Sequence, residues 1–101
     1  MAEYTTVGKL SGLAPGSSIV ADVNGKAIAV FNVAGAVYAI DNACRHGGGP
    51  LGEGPLEGDV VSCPWHHWEY NVRTGELTTN PAVKLATYPV QVEGDEIKVA
   101  V

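Results

Sequence analysis

The segment from residue 42 to residue 80 constrains the fold more than any other part of this 101-residue chain. It contains both cysteines and all three histidines, and six of the thirteen glycines lie between Gly47 and Gly58. A long irregular segment inside a compact domain is usually either disordered or functional. Its low charge, and the strands predicted at 59–62 and 68–70, argue against disorder. We therefore expect an ordered insert whose loops are organised by something other than an apolar core.

The sequence before the insert predicts consecutive β-hairpins. Apolar and polar residues alternate over 18–23, and Asn24-Gly25 follows as a two-residue turn that favours positive φ angles. Further strands are predicted over 26–33 and 37–41, with a second tight turn between them.

The sequence after the insert repeats this pattern. Strands are predicted over 84–93 and 96–101, separated by Gly94-Asp95. No segment shows a sustained apolar period of 3.6 residues, and only 11–14 favours a helical turn. These patterns predict an all-β domain.

Composition and chain ends exclude several classes of protein. A formal charge of −5 at pH 7 lacks the basic footprint that nucleic acid binding requires, and it disfavours an anionic membrane surface. Residues 1–10 carry no basic or apolar region of a secretory signal. The most apolar run, 27–40, is shorter than the about 20 residues that a membrane-spanning helix needs. We expect a soluble cytoplasmic protein, in which two cysteines are more often ligands or free thiols than a disulfide.

Two short motifs in the insert each combine a thiol with an imidazole. Cys44-Arg45-His46 is separated by sixteen residues from Cys63-Pro64-Trp65-His66. Four such donors that converge from two loops are typical of a metal centre. A structural zinc site uses the same donors, but zinc fingers usually group Cys with Cys and His with His, whereas here each loop mixes them. A disulfide between Cys44 and Cys63 is a weaker alternative.

Mixed motifs suit a centre with two metal ions. If Cys44 and Cys63 hold one iron, and His46 and His66 hold the other, each loop spans a unit of two irons and two bridging sulfides. Bridging sulfides accept backbone N–H donors, which explains the glycines, because side chains would block the approach. Two neutral imidazoles in place of two thiolates make such a cluster less negative and easier to reduce.

The spacing Cys-x-His, sixteen residues, then Cys-Pro-Trp-His resembles the Rieske [2Fe–2S] proteins. Residues 44–74 carry this signal, and the chain length and flanks are similar to those of the small soluble Rieske ferredoxins of multicomponent bacterial oxygenases. The resemblance implies a single Rieske domain over 1–101, with a basal antiparallel β-sandwich from 1–41 and 81–101 and a cluster-binding subdomain inserted at 42–80. It also implies one cluster per chain, with the ligands Cys44, His46, Cys63 and His66.

The same resemblance implies a function. The chain is expected to be an electron carrier rather than an enzyme. It would accept one electron from a flavin-dependent ferredoxin reductase and deliver it to a terminal oxygenase of the aromatic-ring dioxygenase type. An oxygenase active site needs a further mononuclear iron held by two histidines and a carboxylate, and only His67 would remain for it. We predict no catalytic residues.

Two positions depart from the family pattern. His67 stands where the family usually has glycine. We interpret it as a solvent-facing residue in a turn, with the alternatives that it replaces His66 as a ligand or carries a proton near the cluster. Trp68 stands where the respiratory branch has a serine that donates to a bridging sulfide. The loss of this donor predicts a low reduction potential, raised slightly by Tyr70.

Two other functions remain open on the sequence alone. Rieske-like small subunits also occur in enzymes such as assimilatory nitrite reductase, and a stable complex with a catalytic subunit would indicate that role. A zinc-stapled binding module without a redox role is the third interpretation. Such a protein would be colourless and would contain no inorganic sulfide.

Overall fold

The computed structural model describes residues 4–43, 49–65 and 68–100, and strands dominate this part of the chain. Two short 3-10 helices, Leu10–Gly12 and Leu51–Glu53, are the only helical elements that these residues contain, and neither could cross a membrane. The strands are β1 Tyr4–Lys9, β2 Ser18–Val23, β3 Lys26–Val33, β4 Ala36–Asp41, β5 Leu56–Glu57, β6 Val60–Ser62, β7 Glu69–Asn71, β8 Glu76–Leu77, β9 Asn80–Lys84, β10 Thr87–Tyr88, β11 Val90–Glu93 and β12 Glu96–Ala100. The predicted all-β class is confirmed.

The strands pair into three antiparallel sheets. Their orders are β1-β12-β11, β10-β4-β3-β2 and β5-β6-β7-β8-β9. The first two sheets share one buried cluster, to which β12 contributes Ile97 and Val99 and β3 contributes Ile28 and Val30. The third sheet comes from the insert, and its last strand, β9, crosses the predicted boundary at 80/81. The predicted antiparallel sandwich is therefore present, and the insert adds a further sheet.

The predicted hairpin over 18–33 forms with the expected turn. β2 and β3 pair antiparallel, and the turn residues Asn24 and Gly25 have φ angles of 52° and 81°. Beyond β3, the buried side chain of Asn32 fixes the next turn, because its Oδ1 accepts the Gly35 N–H at 2.8 Å. Its Nδ2 donates to the Leu13 carbonyl at 2.7 Å. Both the oxygen and the nitrogen of this buried side-chain amide therefore have hydrogen-bond partners.

The prediction of one strand over 84–93 is wrong. β10 pairs with β4 in the sheet β10-β4-β3-β2, whereas β11 pairs with β12 in the sheet β1-β12-β11. Pro89 separates them, and a proline has no N–H to continue a ladder, so the chain changes sheets there. The Pro89 carbonyl instead accepts the Ala100 N–H at 3.0 Å. Strand β1, which no prediction covered, pairs with the free side of β12.

Strand β3 connects the base to the insert. Its last six residues are all buried. Ile28 and Val30 face the core between the basal sheets, and the alternate residues Ala29, Phe31 and Val33 face a second core. This second core includes residues of the insert: Leu51, Val61, Cys63, Tyr70, Val72 and Leu77. Because side chains alternate across a strand, one strand buries both of its faces against different partners.

Candidate metal centre

The second predicted ligand motif begins at the end of a short hairpin. Ser62, the last residue of β6, pairs with Glu69, the first residue of β7. The Cys63 N–H then donates to the Trp68 carbonyl at 2.7 Å, so the chain that leaves β6 returns within five residues. The sequence therefore folds into a loop that carries Cys63 at its base.

Cys63 is fully buried, and it packs in the core that the insert shares with β3. It forms no disulfide. Val61 and Tyr70, which pair across the hairpin, lie in the same core, and Trp68 packs against it. Trp65, only two residues further along, is 57% exposed. The loop thus has a buried base and, at Trp65, an exposed side chain.

The first predicted motif is closed at its base by backbone contacts. Ala43 forms an isolated antiparallel bridge with Pro50. The Leu51 N–H donates to the Asn42 carbonyl at 2.8 Å. Cys44 and His46 belong, by sequence, to the segment between these contacts.

The described ends of the two loops meet at Gly49. A Cβ atom at this position would lie 2.7 Å from Cys63 Sγ, which is closer than real Cβ atoms come to another heavy atom. It would also lie 3.1 Å from Cγ of Trp65. A side chain at Gly54 would likewise overlap the carbonyl oxygen of Ser62. The expectation that these glycines let N–H groups approach sulfide stays a prediction. The structure adds that Gly49 makes room for the side chains of the other loop.

The metal-ligand assignment stays a prediction for most of its members. Cys63 is described, whereas Cys44, His46 and His66, together with the competing His67, lie outside the described residues. Within 4–43, 49–65 and 68–100, no three His, Cys, Asp or Glu side chains are close enough to hold a metal ion. All the histidines and one of the two cysteines fall outside these ranges, so this result leaves the predicted set untested.

Among the predicted ligands, the described residue Cys63 fits the role of a thiolate ligand of a sulfur-bridged iron cluster. A buried thiol stands at the meeting point of two loops, and Gly49 of the first loop approaches its sulfur too closely for a side chain at that position. A thiolate in such apolar surroundings is costly unless a cation compensates it. Both features agree with a cysteine that ligates iron.

Sequence reasoning missed the residues that hold the loops in place. Asn42, Gly52 and Gly54 fix the first loop to the base and to the second loop through contacts that no local pattern encodes. Gly52 and Gly54 stand one residue apart inside the insert, but this spacing alone does not indicate a structural role. Their roles depend on which distant backbone they approach.

Comparison with known proteins agrees with this geometry. The family profile described as the Rieske [2Fe–2S] domain matches residues 3–89. A relative from Ralstonia sp., the ferredoxin component of naphthalene 1,2-dioxygenase/salicylate 5-hydroxylase systems, is 40% identical over 85 residues, which are 83% of this chain and 82% of the relative.

Two solved structures share the fold at 35% identity. The ferredoxin of carbazole 1,9a-dioxygenase from Nocardioides aromaticivorans IC177 matches with a TM-score of 0.90 over 98% of each chain. A chain in the complex of reduced oxygenase and oxidised ferredoxin of carbazole 1,9a-dioxygenase matches with a TM-score of 0.89, covering 96% of this chain and 92% of that one. The similarity therefore extends over the base and the insert together.

Proposed function

Because this chain belongs to the Rieske [2Fe–2S] family, we propose that it passes single electrons from a flavin-dependent ferredoxin reductase to a terminal oxygenase of the aromatic-ring dioxygenase type. The chain is an electron carrier, like its ferredoxin relative, and it is not a catalytic subunit. The observation that carries the proposal is the meeting of the two loop ends at the buried Cys63 thiol.

We propose that Cys44 and Cys63 hold one iron of the cluster, and that His46 and His66 hold the other. When bound, a [2Fe–2S] cluster supplies a one-electron redox couple. The burial of Cys63, and the close approach of Gly49 from the other loop to its sulfur, support this assignment.

The protein's own residues keep water from the buried side of the site and leave another side open to a partner. Val61 and Tyr70 lie in the same apolar core as Cys63 and exclude water from it. On the other side, the exposed indole of Trp65 offers apolar area near Cys63 for a docking protein. We therefore propose that the partner docks on the Trp65 side of the site.

Charge supports docking to basic partners. The chain carries eleven Asp and Glu against six Lys and Arg. Such an excess steers association towards positive surfaces, and salt screens it. We propose that both redox partners present basic patches and that electron transfer slows as ionic strength rises. Transfer rates that stay the same from low to high ionic strength would contradict the steering.

We further propose a single Rieske domain over 1–101, with the insert at 42–80, and a location in the cytoplasm. The core that β3 shares with the insert supports the single domain. The location is supported by the likeness to ferredoxin components.

Spectra and metal analysis of the purified protein test the cofactor and its ligands. We expect two irons and two acid-labile sulfides per chain and the absorption of a Rieske centre. His66→Ala should lose the cluster, whereas the matched variant His67→Ala should keep it. Zinc without sulfide would contradict the proposal.

Reconstitution tests the partners. The reduced protein should transfer one electron to a terminal oxygenase, and it should separate from that enzyme during purification. Stable co-purification with a catalytic subunit would instead indicate the small subunit of a reductase such as nitrite reductase.

A further inference from the structure

Asn42 holds the first loop through three separate hydrogen bonds. Its N–H donates to the Ala27 carbonyl of β3 at 3.0 Å, and its carbonyl accepts the Leu51 N–H at 2.8 Å. Its side-chain Oδ1 accepts the Gly52 N–H at 2.7 Å. One residue therefore connects the basal sheet to the chain that enters the loop and to the chain that leaves it.

Gly52 is held from a second direction. Its carbonyl oxygen accepts the Ser18 hydroxyl of β2 at 2.6 Å. A Cβ at Gly52 would overlap a methyl group of Val20 and would lie 3.0 Å from Asn42 Oδ1. Ser18, Asn42 and Gly52 thus form a unit, here called the Gly52 clamp, in which both backbone polar groups of Gly52 are bound by side chains, one from the base (Ser18) and one from the first residue of the insert (Asn42).

We propose that Asn42 is a positioning residue for the metal centre, because its amide oxygen fixes Gly52 and so fixes the exit of the loop that contains Cys44 and His46. This inference rests on the proposed function. The reason is geometric: Ala43 pairs with Pro50, so the entry and exit of the loop are adjacent, and Leu51 and Gly52 follow directly. Ligands presented by a loop keep their positions only if both ends of that loop are fixed, and supporting contacts of this kind strongly affect metal affinity.

The test compares three variants of the iron-loaded protein. Asn42→Leu keeps the branched shape of the side chain but removes the acceptor, and Asn42→Asp restores an acceptor oxygen. Asn32→Leu is the matched control, because the side chain of Asn32 also forms hydrogen bonds with two backbone groups. Asn32 lies near the end of β3, whereas Ala27, the β3 residue that Asn42 contacts, lies near its start. The measurements are the exchange rate of the Gly52 amide, the rate of iron release to a chelator, and the line width of the electron paramagnetic resonance signal.

We expect Asn42→Leu to accelerate amide exchange at Gly52 and iron release by roughly five- to tenfold, which corresponds to the loss of one hydrogen bond. Its resonance lines should broaden, because the ligands no longer adopt one geometry. Asn42→Asp should restore iron release to within about twofold of the wild type, and Asn32→Leu should stay in the same range. If Asn42→Leu does not fold, Ser18→Ala opens the other side of the clamp and should accelerate iron release by about two- to fivefold.

Two results would overturn the inference. One is wild-type iron release and line width in Asn42→Leu, or in Ser18→Ala where that variant replaces it. The other is equal acceleration in Asn32→Leu, which would show that only global stability matters. Wild-type protein that binds no iron and no sulfide would refute the proposed function instead, so the two failures are distinguishable.

Discussion

The base and the insert of this molecule are held together in different ways. In the base, β3 has eight residues and buries six of them in succession. In the insert, the strands β5 and β8 have only two residues each. Strand β7 has three residues, and Tyr70 is the buried one among them. The insert depends in addition on places where a glycine lets one chain approach another, at Gly49 and at Gly54. The base is therefore stabilised mainly by burial along long strands, whereas the insert combines an apolar core shared with β3 with close contacts at glycines around the site.

The largest effect is expected where the two regions share a core. Phe31→Ala removes a fully buried ring that packs in the core common to β3 and the insert, and it should lower the free energy of unfolding by about 3–5 kcal/mol. Chemical denaturation checks this by circular dichroism for the strands and by fluorescence of Trp65 and Trp68, both of which lie in the insert. The two signals should shift together. Val20→Ala, at a position 47% exposed, should change the free energy by less than about 0.5 kcal/mol. A loss below about 1 kcal/mol in Phe31→Ala would show that the regions do not depend on this ring.

A smaller effect should separate the two regions. Gly54→Ala places a methyl group against the carbonyl oxygen of Ser62, which is backbone and cannot rotate away, at a cost of about 1–3 kcal/mol. Here the fluorescence transition should come at a lower denaturant concentration than the circular dichroism transition, because the strain lies in the insert. Gly12→Ala is the control, since a Cβ there meets open space. Coincident transitions in Gly54→Ala would mean that the insert has no stability of its own.

The smallest effect concerns the join between β10 and β4. The Tyr88 hydroxyl donates to Asp41 Oδ1 at 2.5 Å, two residues before the bridge at Ala43. Burial, and then the hydrogen bond to Asp41, raise the pKa of Tyr88 from 10.0 to about 12. The neutral phenol is thus favoured in the folded state, and its contribution is complete below pH 10 and is lost as the pH rises towards 12.

Tyr88→Phe should lower the free energy of unfolding by about 1 kcal/mol at neutral pH, because one hydrogen bond is lost. Urea denaturation from pH 8 upwards should show this difference shrinking above pH 10, because the Tyr88 hydroxyl ionises in the unfolded chain before it does in the folded protein. Tyr4→Phe, at an exposed position, should match the wild type throughout. A difference between Tyr88→Phe and the wild type that is constant with pH would exclude the hydroxyl as its source.

Sequence patterns predicted the base better than the insert. The hairpin over 18–33 was predicted with its boundaries, because alternation and Asn24-Gly25 are local signals. The strand over 84–93 was mispredicted, because its alternation continues through Pro89 while the hydrogen-bonding partners change from one sheet to another. Strand β1 was missed because its pairing with β12 joins the two ends of the chain, and its own residues are mostly exposed.

The site shows the same division. The family and the cluster follow from the spacing of thiols and imidazoles, which is a chemical signal that the sequence contains in full. The supports of the site were not predictable, because the contacts of Asn42 with Gly52, and of Gly49 with Cys63, join residues whose proximity exists only in the folded chain.

The two-sided burial of β3 limits how far this protein can be treated as modular. An engineer who grafted residues 42–80 onto another scaffold would leave behind Ala29, Phe31 and Val33, against which the transplanted sheet packs. The graft would expose that apolar surface and would tend to aggregate. A functional transplant has to include this strand, so the smallest portable unit for such loops is larger than the loops themselves.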